Sequence, residues 1–426
     1  MFDVIVVGAR CAGSPTAMLL ARRGHRVLLV DRATFPSDTI STHFIWQHGM
    51  ACLKRWGLLD RVLATNCPPF RTLGLDLGAY QLTGDPPAVD GVAEICVPRR
   101  TVLDKILIDA AAEAGVEVRE GFSVTAVTSS NGQVTGVRGH GRGGAEVEER
   151  ARIVVGADGR NSLVAKAVKA KEYNTKPVLS CGYYAYWSGV SPHIPAVHPQ
   201  PRRVVITFPT NDELTISYVA FPRGEFGEVR SDPERHLVEA LRLVVDLEGP
   251  FRGAARIERV RGTSDLRNFF RHPWGGGWAL VGDAGYHKDP IIAQGISDAF
   301  RSAEWLADAV HAGLSGARPL NEALEEYQRT RDEALAPMYE LSCSLATLEP
   351  PSPETLALYQ ALRTNPAERN RFFGTLGGAV SPAEYYAADN LQRIVNNASG
   401  QRRRAIGRKN TAAASDRKPG TAVYDL

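Results

Sequence analysis

The first residues of the chain that could do chemistry are glycines and an acid at the ends of two predicted strands. The strand Phe2–Val7 runs into Gly8-Ala9-Arg10-Cys11-Ala12-Gly13-Ser14, a helix follows, and a second strand ends at Asp31. Gly8 permits a tight turn and Gly13 lets the helix pack closely on the strands, while the free N–H groups of the helix attract a pyrophosphate. A carboxylate at Asp31 can accept hydrogen bonds from the hydroxyls of a ribose. This order of elements predicts a dinucleotide-binding βαβ unit.

Arg10 departs from the usual pattern of this unit. The middle position is normally glycine, which lets the backbone approach the phosphates. The side chain of Arg10 could hold the backbone away or swing outward, or its guanidinium could pair with a phosphate. The unit taken alone also allows a structural crossover that binds no ligand.

Two further predicted strands end in the same residue types. A strand at 152–155 leads into Asp158-Gly159, and a strand at 278–281 leads into Gly282-Asp283, followed by a loop with Pro290 and then a helix. In open α/β sheets, ligands bind at the carboxyl ends of the strands. The three motifs are therefore expected to meet at one edge of a sheet.

Together, in this order and at this spacing over residues 1–345, the motifs resemble the para-hydroxybenzoate hydroxylase superfamily of FAD-dependent oxidoreductases. Within it the chain resembles the geranylgeranyl-reductase-like monooxygenase branch. The resemblance implies FAD as cofactor and NAD(P)H as a transient electron donor. The tryptophan-and-proline motif of the flavin halogenases is absent from the sequence, which disfavours halogenation.

The resemblance also implies roles for single residues. Asp283 would bind the ribityl chain or its phosphate environment, and the isoalloxazine ring would lie beside Pro290, Gly295 and Ile296. Asp158 would support the cofactor, Arg100 would open a helix near it, and Val124, expected at the end of a strand, would contact adenine. The implied cofactor-binding residues are Gly8, Arg10, Ala12, Gly13, Ser14, Asp31, Arg32, Thr42, Arg100, Val124, Asp158, Gly159, Gly282, Asp283, Pro290, Gly295 and Ile296.

The chemistry that the resemblance implies is that of a hydroxylase. Reduced flavin and oxygen would form a C4a-hydroperoxide, which would pass one oxygen atom to a small aromatic, polyketide or terpenoid-like substrate. His43 and His287 are candidate catalytic residues because imidazole titrates near neutral pH, although each could be a structural histidine. Two alternatives stay open: an FAD-dependent reductase of prenyl or alkene double bonds, and a protein that binds FAD without catalysis.

The predicted fold class is α/β, with a Rossmann-like FAD-binding domain built from a parallel sheet and a β-meander. An inserted, mainly antiparallel sheet would bind the substrate, and helices would follow. Tyr184, Tyr186, Phe208 and Tyr218 would either line a substrate cavity or pack the core of that sheet. The predicted boundaries are 1–73, 98–174 and 273–345 for the FAD-binding domain, 74–97 and 175–272 for the substrate domain, 346–396 for a helical segment and 397–426 for a disordered basic tail.

Composition narrows the classes of partner. The net charge of +3 gives no reason to expect nucleic acid, and no apolar run is long enough for a membrane helix. Six cysteines without a C-x-x-C pair indicate a reducing, cytoplasmic setting, and a strand that starts at Phe2 argues against a signal peptide. No second glycine-rich βαβ unit is present, so electrons would come from transiently docked NAD(P)H or from a separate flavin reductase. The expected state is a monomer or a homodimer.

Overall fold

A computed structural model of the chain describes residues 1–398. Its strands are β1 Phe2–Val7, β2 Val27–Asp31, β3 Leu73–Asp76, β4 Gln81–Gly84, β5 Glu117–Glu120, β6 Ser123–Ser130, β7 Gln133–His140, β8 Val147–Gly156, β9 Glu172–Lys176, β10 Ser180–Ser188, β11 Ala196–Gln200, β12 Arg203–Pro209, β13 Thr215–Pro222, β14 Ala255–Arg256, β15 Arg261–Thr263, β16 Asn268–Arg271, β17 Trp274–Gly275, β18 Trp278–Leu280 and β19 Tyr286–His287.

The α-helices alternate with the strands in the first half of the chain and dominate its end. They are α1 Gly13–Ala21, α2 Gln47–Arg55, α3 Leu59–Leu63, α4 Arg100–Glu113, α5 Leu163–Ala167, α6 Phe226–Ser231, α7 Pro233–Arg242, α8 Val245–Glu248, α9 Gly295–Leu314, α10 Leu320–Leu345, α11 Pro353–Leu362, α12 Pro366–Gly377 and α13 Pro382–Tyr385. Short 3-10 helices cover Arg223–Glu225, Gly282–Ala284 and Pro290–Ile292. None of the helices within residues 1–398 is long and apolar enough to cross a membrane.

The first sheet has the order β17-β18-β8-β1-β2-β5, and the strands from β18 to β5 pair in parallel. Its central strands are continuous apolar runs because both faces are covered. Helices α1, α4 and α9 pack on one face, and the β6-β7-β8 meander packs on the other. The α/β class and the parallel sheet with a β-meander are therefore as predicted.

The second sheet has the order β14-β10-β13-β12-β11-β3-β4 and is mainly antiparallel. Tyr184 lies directly opposite Tyr218, and alternation places both on one face with Tyr186 and Phe208. That face packs against residues from α10 to α12 and from the loop before α9, while the opposite face packs against α7. The strand-rich range 175–272 also contains α6, α7 and α8, which cover that opposite face.

Two local expectations were wrong. Val124 lies at the start of β6 rather than at the end of a strand, because Gly121, at φ +66°, turns the chain between β5 and β6. Residues 397 and 398, expected to open a disordered tail, are helical. Residues 388–398 form a further helix after α13. Ile394 and Ala398, one helical turn apart, are buried in the same apolar cluster as α12, and this packing stabilises that helix. The rest of the predicted tail, 399–426, lies outside the described residues.

Candidate active site

A cavity of about 800 Å³ lies between the carboxyl edge of the parallel sheet and the tyrosine-bearing face of the second sheet. Its walls come from the turn after β1, the loop after β2, the ends of β8 and β18, and the start of α9. This edge is where open α/β sheets bind ligands, and the volume lies in the upper range of small-molecule sites. The predicted residues that line it are Gly8, Arg10, Ala12, Asp31, Arg32, Thr42, Arg100, Val124, Asp158, Gly159, Tyr184, Tyr218, Gly282, Asp283, His287, Pro290, Gly295 and Ile296.

The glycines of the turn after β1 allow backbone atoms to approach one another closely. Gly8 has φ +102°, and a Cβ there would lie 2.5 Å from the Ala157 carbonyl oxygen. A Cβ on Gly13 would lie 1.7 Å from the Gly8 carbonyl oxygen. Gly13 and Ser14 do not line the cavity, but they let the first turn of α1 sit directly behind it. The N-terminal N–H groups of that helix are thus brought to the cavity edge.

Asp31 is held at the end of β2 by two backbone hydrogen bonds. Its Oδ2 accepts from the Ala9 N–H at 2.7 Å, and its Oδ1 accepts from the Ala33 N–H at 2.7 Å. An ionised carboxylate has about four acceptor positions, so each oxygen can accept one more hydrogen bond. The geometry fits the ribose role predicted for this residue.

The side chain of Arg10 swings outward, away from the glycine turn. Its guanidinium donates to Asp104 Oδ2 at 2.6 Å, to Ser37 Oγ at 2.9 Å and to the Ser37 carbonyl oxygen at 3.3 Å. Arg100 binds both oxygens of the same buried Asp104, at 2.8 and 2.9 Å. Two guanidinium groups therefore share one carboxylate, which leaves a net positive charge beside the first turn of α1.

The carboxylate of Asp158 caps α5. It accepts hydrogen bonds from Ser162 Oγ at 2.5 Å and from the Leu163 N–H at 2.6 Å. Burial raises the pKa of Asp158 above its usual value, although these hydrogen bonds act to lower it. Gly159 follows at φ +78°, and a Cβ there would meet no atom within 4 Å. Asp158 thus shapes the cavity wall through the backbone, while Gly159 leaves space beside it.

The opposite end of the cavity is formed by the loop that leads into α9. Asp289 Oδ1 accepts from the Ile291 N–H at 3.1 Å and so caps the 3-10 turn that begins at Pro290. Ala293 then takes a left-handed conformation at φ +53°, and the 20-residue helix α9 starts at the exposed Gly295. A Cβ on Gly295 would meet no atom within 4 Å, so the helix N-terminus opens onto free space.

Sequence reasoning missed the buried charges of this loop. Lys288 forms a buried ion pair with Asp298 and donates to Tyr286 Oη at 3.0 Å. Asp289 Oδ2 accepts from Ser180 Oγ at 2.6 Å. All of these except Ser180 line the cavity. The sequence did carry a signal for them, because Lys288 and Asp289 stand between the strand that ends in Gly282-Asp283 and the apolar residues that follow Pro290.

The two candidate histidines differ in position. His287 lines the cavity, its Nδ1–H donates to the Arg267 carbonyl oxygen, and burial lowers its pKa. His43 does not line the cavity, and its Nε2 pairs with the Tyr186 hydroxyl. Burial, with Arg100 and other nearby guanidinium groups, holds the pKa of His43 well below its usual range. Both imidazoles are therefore neutral at physiological pH.

The four candidate substrate residues also differ in whether they line the cavity. Tyr184 and Tyr218 line the cavity, whereas Tyr186 and Phe208 lie in the apolar cluster behind it. The hydroxyl of Tyr218 is buried and has no hydrogen-bond partner among the described residues, whereas the buried hydroxyl of Tyr184 lies within reach of Tyr186. Burial raises the pKa of Tyr184 to about 12 and holds that of Tyr218 well above its usual value, so both groups stay protonated donors.

Comparison with known proteins agrees with this geometry. The model of the family described as FAD binding domain matches residues 1–342. A digeranylgeranylglycerophospholipid reductase of Methanocella arvoryzae is 28% identical over 367 residues, which cover 80% of this chain and 86% of the reductase. An aklavinone 12-hydroxylase of Streptomyces peucetius is 28% identical and is matched over 75% of this chain and 70% of its own. The structure of a myxobacterial chondrochloren halogenase superposes with a TM-score of 0.76 at 21% identity, over 93% of this chain and 96% of the halogenase, and that likeness speaks for the fold alone.

Proposed function

Because the chain belongs to the FAD-binding-domain family, we propose that it is an FAD-dependent monooxygenase that inserts one oxygen atom into a small organic substrate. The substrate class is an aromatic, polyketide or terpenoid-like molecule, and NAD(P)H or a separate reductase delivers the electrons. When bound, FAD supplies the two-electron redox chemistry and the activation of oxygen.

The residues of the cavity fit FAD from one end to the other. Val124 and Asp31 suit the adenine and its ribose, and the turn that starts at Gly8 offers the N-terminus of α1 to the pyrophosphate. Pro290 and Gly295 suit the isoalloxazine ring, since the open space at Gly295 leaves room for a flat group. The N-terminus of α9 would favour negative charge on the reduced ring.

The observation that carries the monooxygenase proposal is the buried hydroxyl of Tyr218 on the cavity wall, which has no hydrogen-bond partner within residues 1–398. Tyr184 lies directly opposite Tyr218 across β10 and β13, and its own hydroxyl lies within reach of Tyr186. A buried donor left without an acceptor costs about 1–3 kcal/mol, so a hydrocarbon chain would be a poor occupant of this wall. A substrate that carries an oxygen atom would accept the hydrogen bond of Tyr218.

The other residues near this end orient the substrate and exclude water. Leu266 and Thr263 complete the wall beside Tyr184. His287, neutral and held through its Nδ1–H, presents Nε2 as an acceptor and is the better placed of the two histidines for proton transfer. We assign His43 the supporting task of fixing Tyr186. We therefore propose the second sheet as the substrate side and the parallel sheet as the cofactor side.

The test uses the purified protein with FAD bound. NADH or NADPH is added in air with a panel of phenols, polyketide-like aromatics and terpenoids, and oxygen uptake is compared with product mass in ¹⁸O₂. The expected result is a product heavier by one labelled oxygen atom, with uptake matched to product. Oxygen uptake that yields only hydrogen peroxide with every compound would count against the proposal. Bromide and chloride in the buffer allow a halogenated product to be detected in the same run.

The second candidate is reduction of a prenyl double bond, favoured by the identity with the Methanocella arvoryzae reductase. Under nitrogen, reduced protein would then saturate a geranylgeranyl chain and reoxidise its flavin. A monooxygenase keeps its flavin reduced under the same conditions. Flavin that neither NAD(P)H nor an added reductase bleaches would instead support the third reading, FAD binding without catalysis.

A further inference from the structure

We propose that Arg10 is a positioning residue for FAD, which latches the loop of residues 37–42 to the phosphate turn and so slows release of the cofactor. This loop is called the cover loop below. The proposal rests on FAD binding and not on the reaction that the bound flavin performs. It assigns a task to the residue that breaks the glycine pattern.

The latch consists of hydrogen bonds from one guanidinium to two separate segments. Arg10 donates twice to Ser37, to Oγ at 2.9 Å and to the carbonyl oxygen at 3.3 Å. The same group donates to Asp104 Oδ2 at 2.6 Å, and it also lies over the Phe35 ring at 5.3 Å from the centroid. Arg10 therefore joins the phosphate turn, the start of the cover loop and helix α4 at a single point.

The cover loop forms one wall of the cavity. Its residues from Asp38 to Thr42 line the cavity, and Ile40 is exposed at its rim. A second anchor holds the next residue, because Asp38 pairs with Arg261 of β15 at 3.0 Å. Consecutive residues of the loop are thus held by Arg10 in the turn after β1 and by Arg261 in the second sheet. Loss of either anchor should let the loop move away from the cofactor.

The shape of the side chain explains why arginine stands here. A guanidinium presents five N–H groups in a rigid fork, so it can bind Asp104 and Ser37 together. In Arg10 one nitrogen, Nη1, contacts Asp104 Oδ2 and the Ser37 carbonyl oxygen, and the second, Nη2, donates to Ser37 Oγ. A lysine keeps the charge but has a single nitrogen, so it cannot reproduce the contacts of both Nη1 and Nη2. A glycine would restore the usual turn and lose the latch. If Arg10 served mainly as a charge for the pyrophosphate, lysine would replace it well and Ser37 would not matter.

The experiment compares the FAD-bound full chain with Arg10→Lys and Ser37→Ala. The release rate is followed by flavin fluorescence after dilution, and amide hydrogen exchange is measured on the peptide that spans residues 36–44. We expect release to be about tenfold faster for Arg10→Lys and about threefold faster for Ser37→Ala, which is the range for loss of hydrogen bonds of ordinary net strength at a partly exposed side chain. Exchange in the cover loop should rise in both variants. Neither readout depends on turnover, so a failure of the proposed monooxygenase activity would leave this test unaffected.

The control is Arg150→Gln, which removes an exposed guanidinium whose ion-pair partner is Glu148. It should keep the wild-type release rate and exchange pattern. Wild-type release from Arg10→Lys would show that charge alone matters and would overturn the latch. Unchanged release and exchange in Ser37→Ala would overturn it as well. If Arg10→Lys fails to fold, Ser37→Ala alone decides, because its side chain is small and lies outside the helices and strands.

Discussion

Asp289 offers a sharp test of the electrostatics at the inner end of the cavity. Its carboxyl is fully buried, accepts from Ser180 Oγ at 2.6 Å and from the Ile291 N–H at 3.1 Å, and forms no salt bridge within residues 1–398. The neighbouring Lys288 is already paired with Asp298. Burial without a cation partner raises the pKa of Asp289 from 3.8 to about 6.

The sign and size of the effect on stability follow from linkage. A carboxyl whose pKa is raised on folding binds its proton more tightly in the folded state, so its contribution to stability is present below pH 4 and is lost as the pH rises through 6. At pH 8 the ionised Asp289 therefore costs about 3 kcal/mol in the free energy of unfolding. At pH 5 roughly half of that cost is recovered, about 1.5 kcal/mol.

The perturbation is Asp289→Asn, which keeps the shape and an acceptor oxygen but cannot ionise. Urea unfolding of both proteins is followed by tryptophan fluorescence at pH 8 and at pH 5, with FAD in excess. The difference in the free energy of unfolding, variant minus wild type, should be larger at pH 8 than at pH 5 by about 1.5 kcal/mol. Exposed Asp60→Asn serves as the matched control and should show no such change. A variant-minus-wild-type difference that is the same at both pH values would refute the reasoning.

Three further predictions concern the cavity walls. Gly13→Ala should abolish folding or FAD binding, because its Cβ would lie 1.7 Å from a carbonyl oxygen. Gly295→Ala, whose Cβ would meet no atom within 4 Å, should fold normally and shift only the flavin absorbance and affinity, and thermal unfolding with absorbance titration separates the two outcomes. Asp31→Ala should weaken FAD binding at least about tenfold, because it leaves two backbone N–H groups without their acceptor and removes the acceptors for the ribose. Fluorescence titration measures the affinity, and an unchanged value would contradict the role assigned to Asp31. Tyr218→Phe should leave the free energy of unfolding unchanged or raise it by about 1 kcal/mol, since it removes a partnerless buried hydroxyl, while the KM for substrate rises; a clear loss of stability would show that the hydroxyl has a partner.

The local sequence pattern was enough to predict the elements on the cofactor side of the molecule. The strand before Gly8, the close approach at Gly13 and the acid at Asp31 are set by steric limits and by residues near each other in sequence, so the βαβ unit was predictable. The alternation of β10 likewise predicted that Tyr184 and Tyr186 share a face. The pattern could not tell that Tyr184 reaches the cavity and Tyr186 does not, because that depends on the helices and loops packed behind the sheet.

The sequence by itself thus determined the α/β sheet, the three glycine-and-acid motifs and the carboxyl edge at which they meet. Only the tertiary structure decided which groups Arg10 binds, since its partner Asp104 lies 94 residues further along the chain. It also separated His287 from His43 and joined Asp289 to Ser180, 109 residues away. The physical reason is that turn and strand geometry depend on neighbours in the chain, whereas partners of buried charges depend on how distant elements pack.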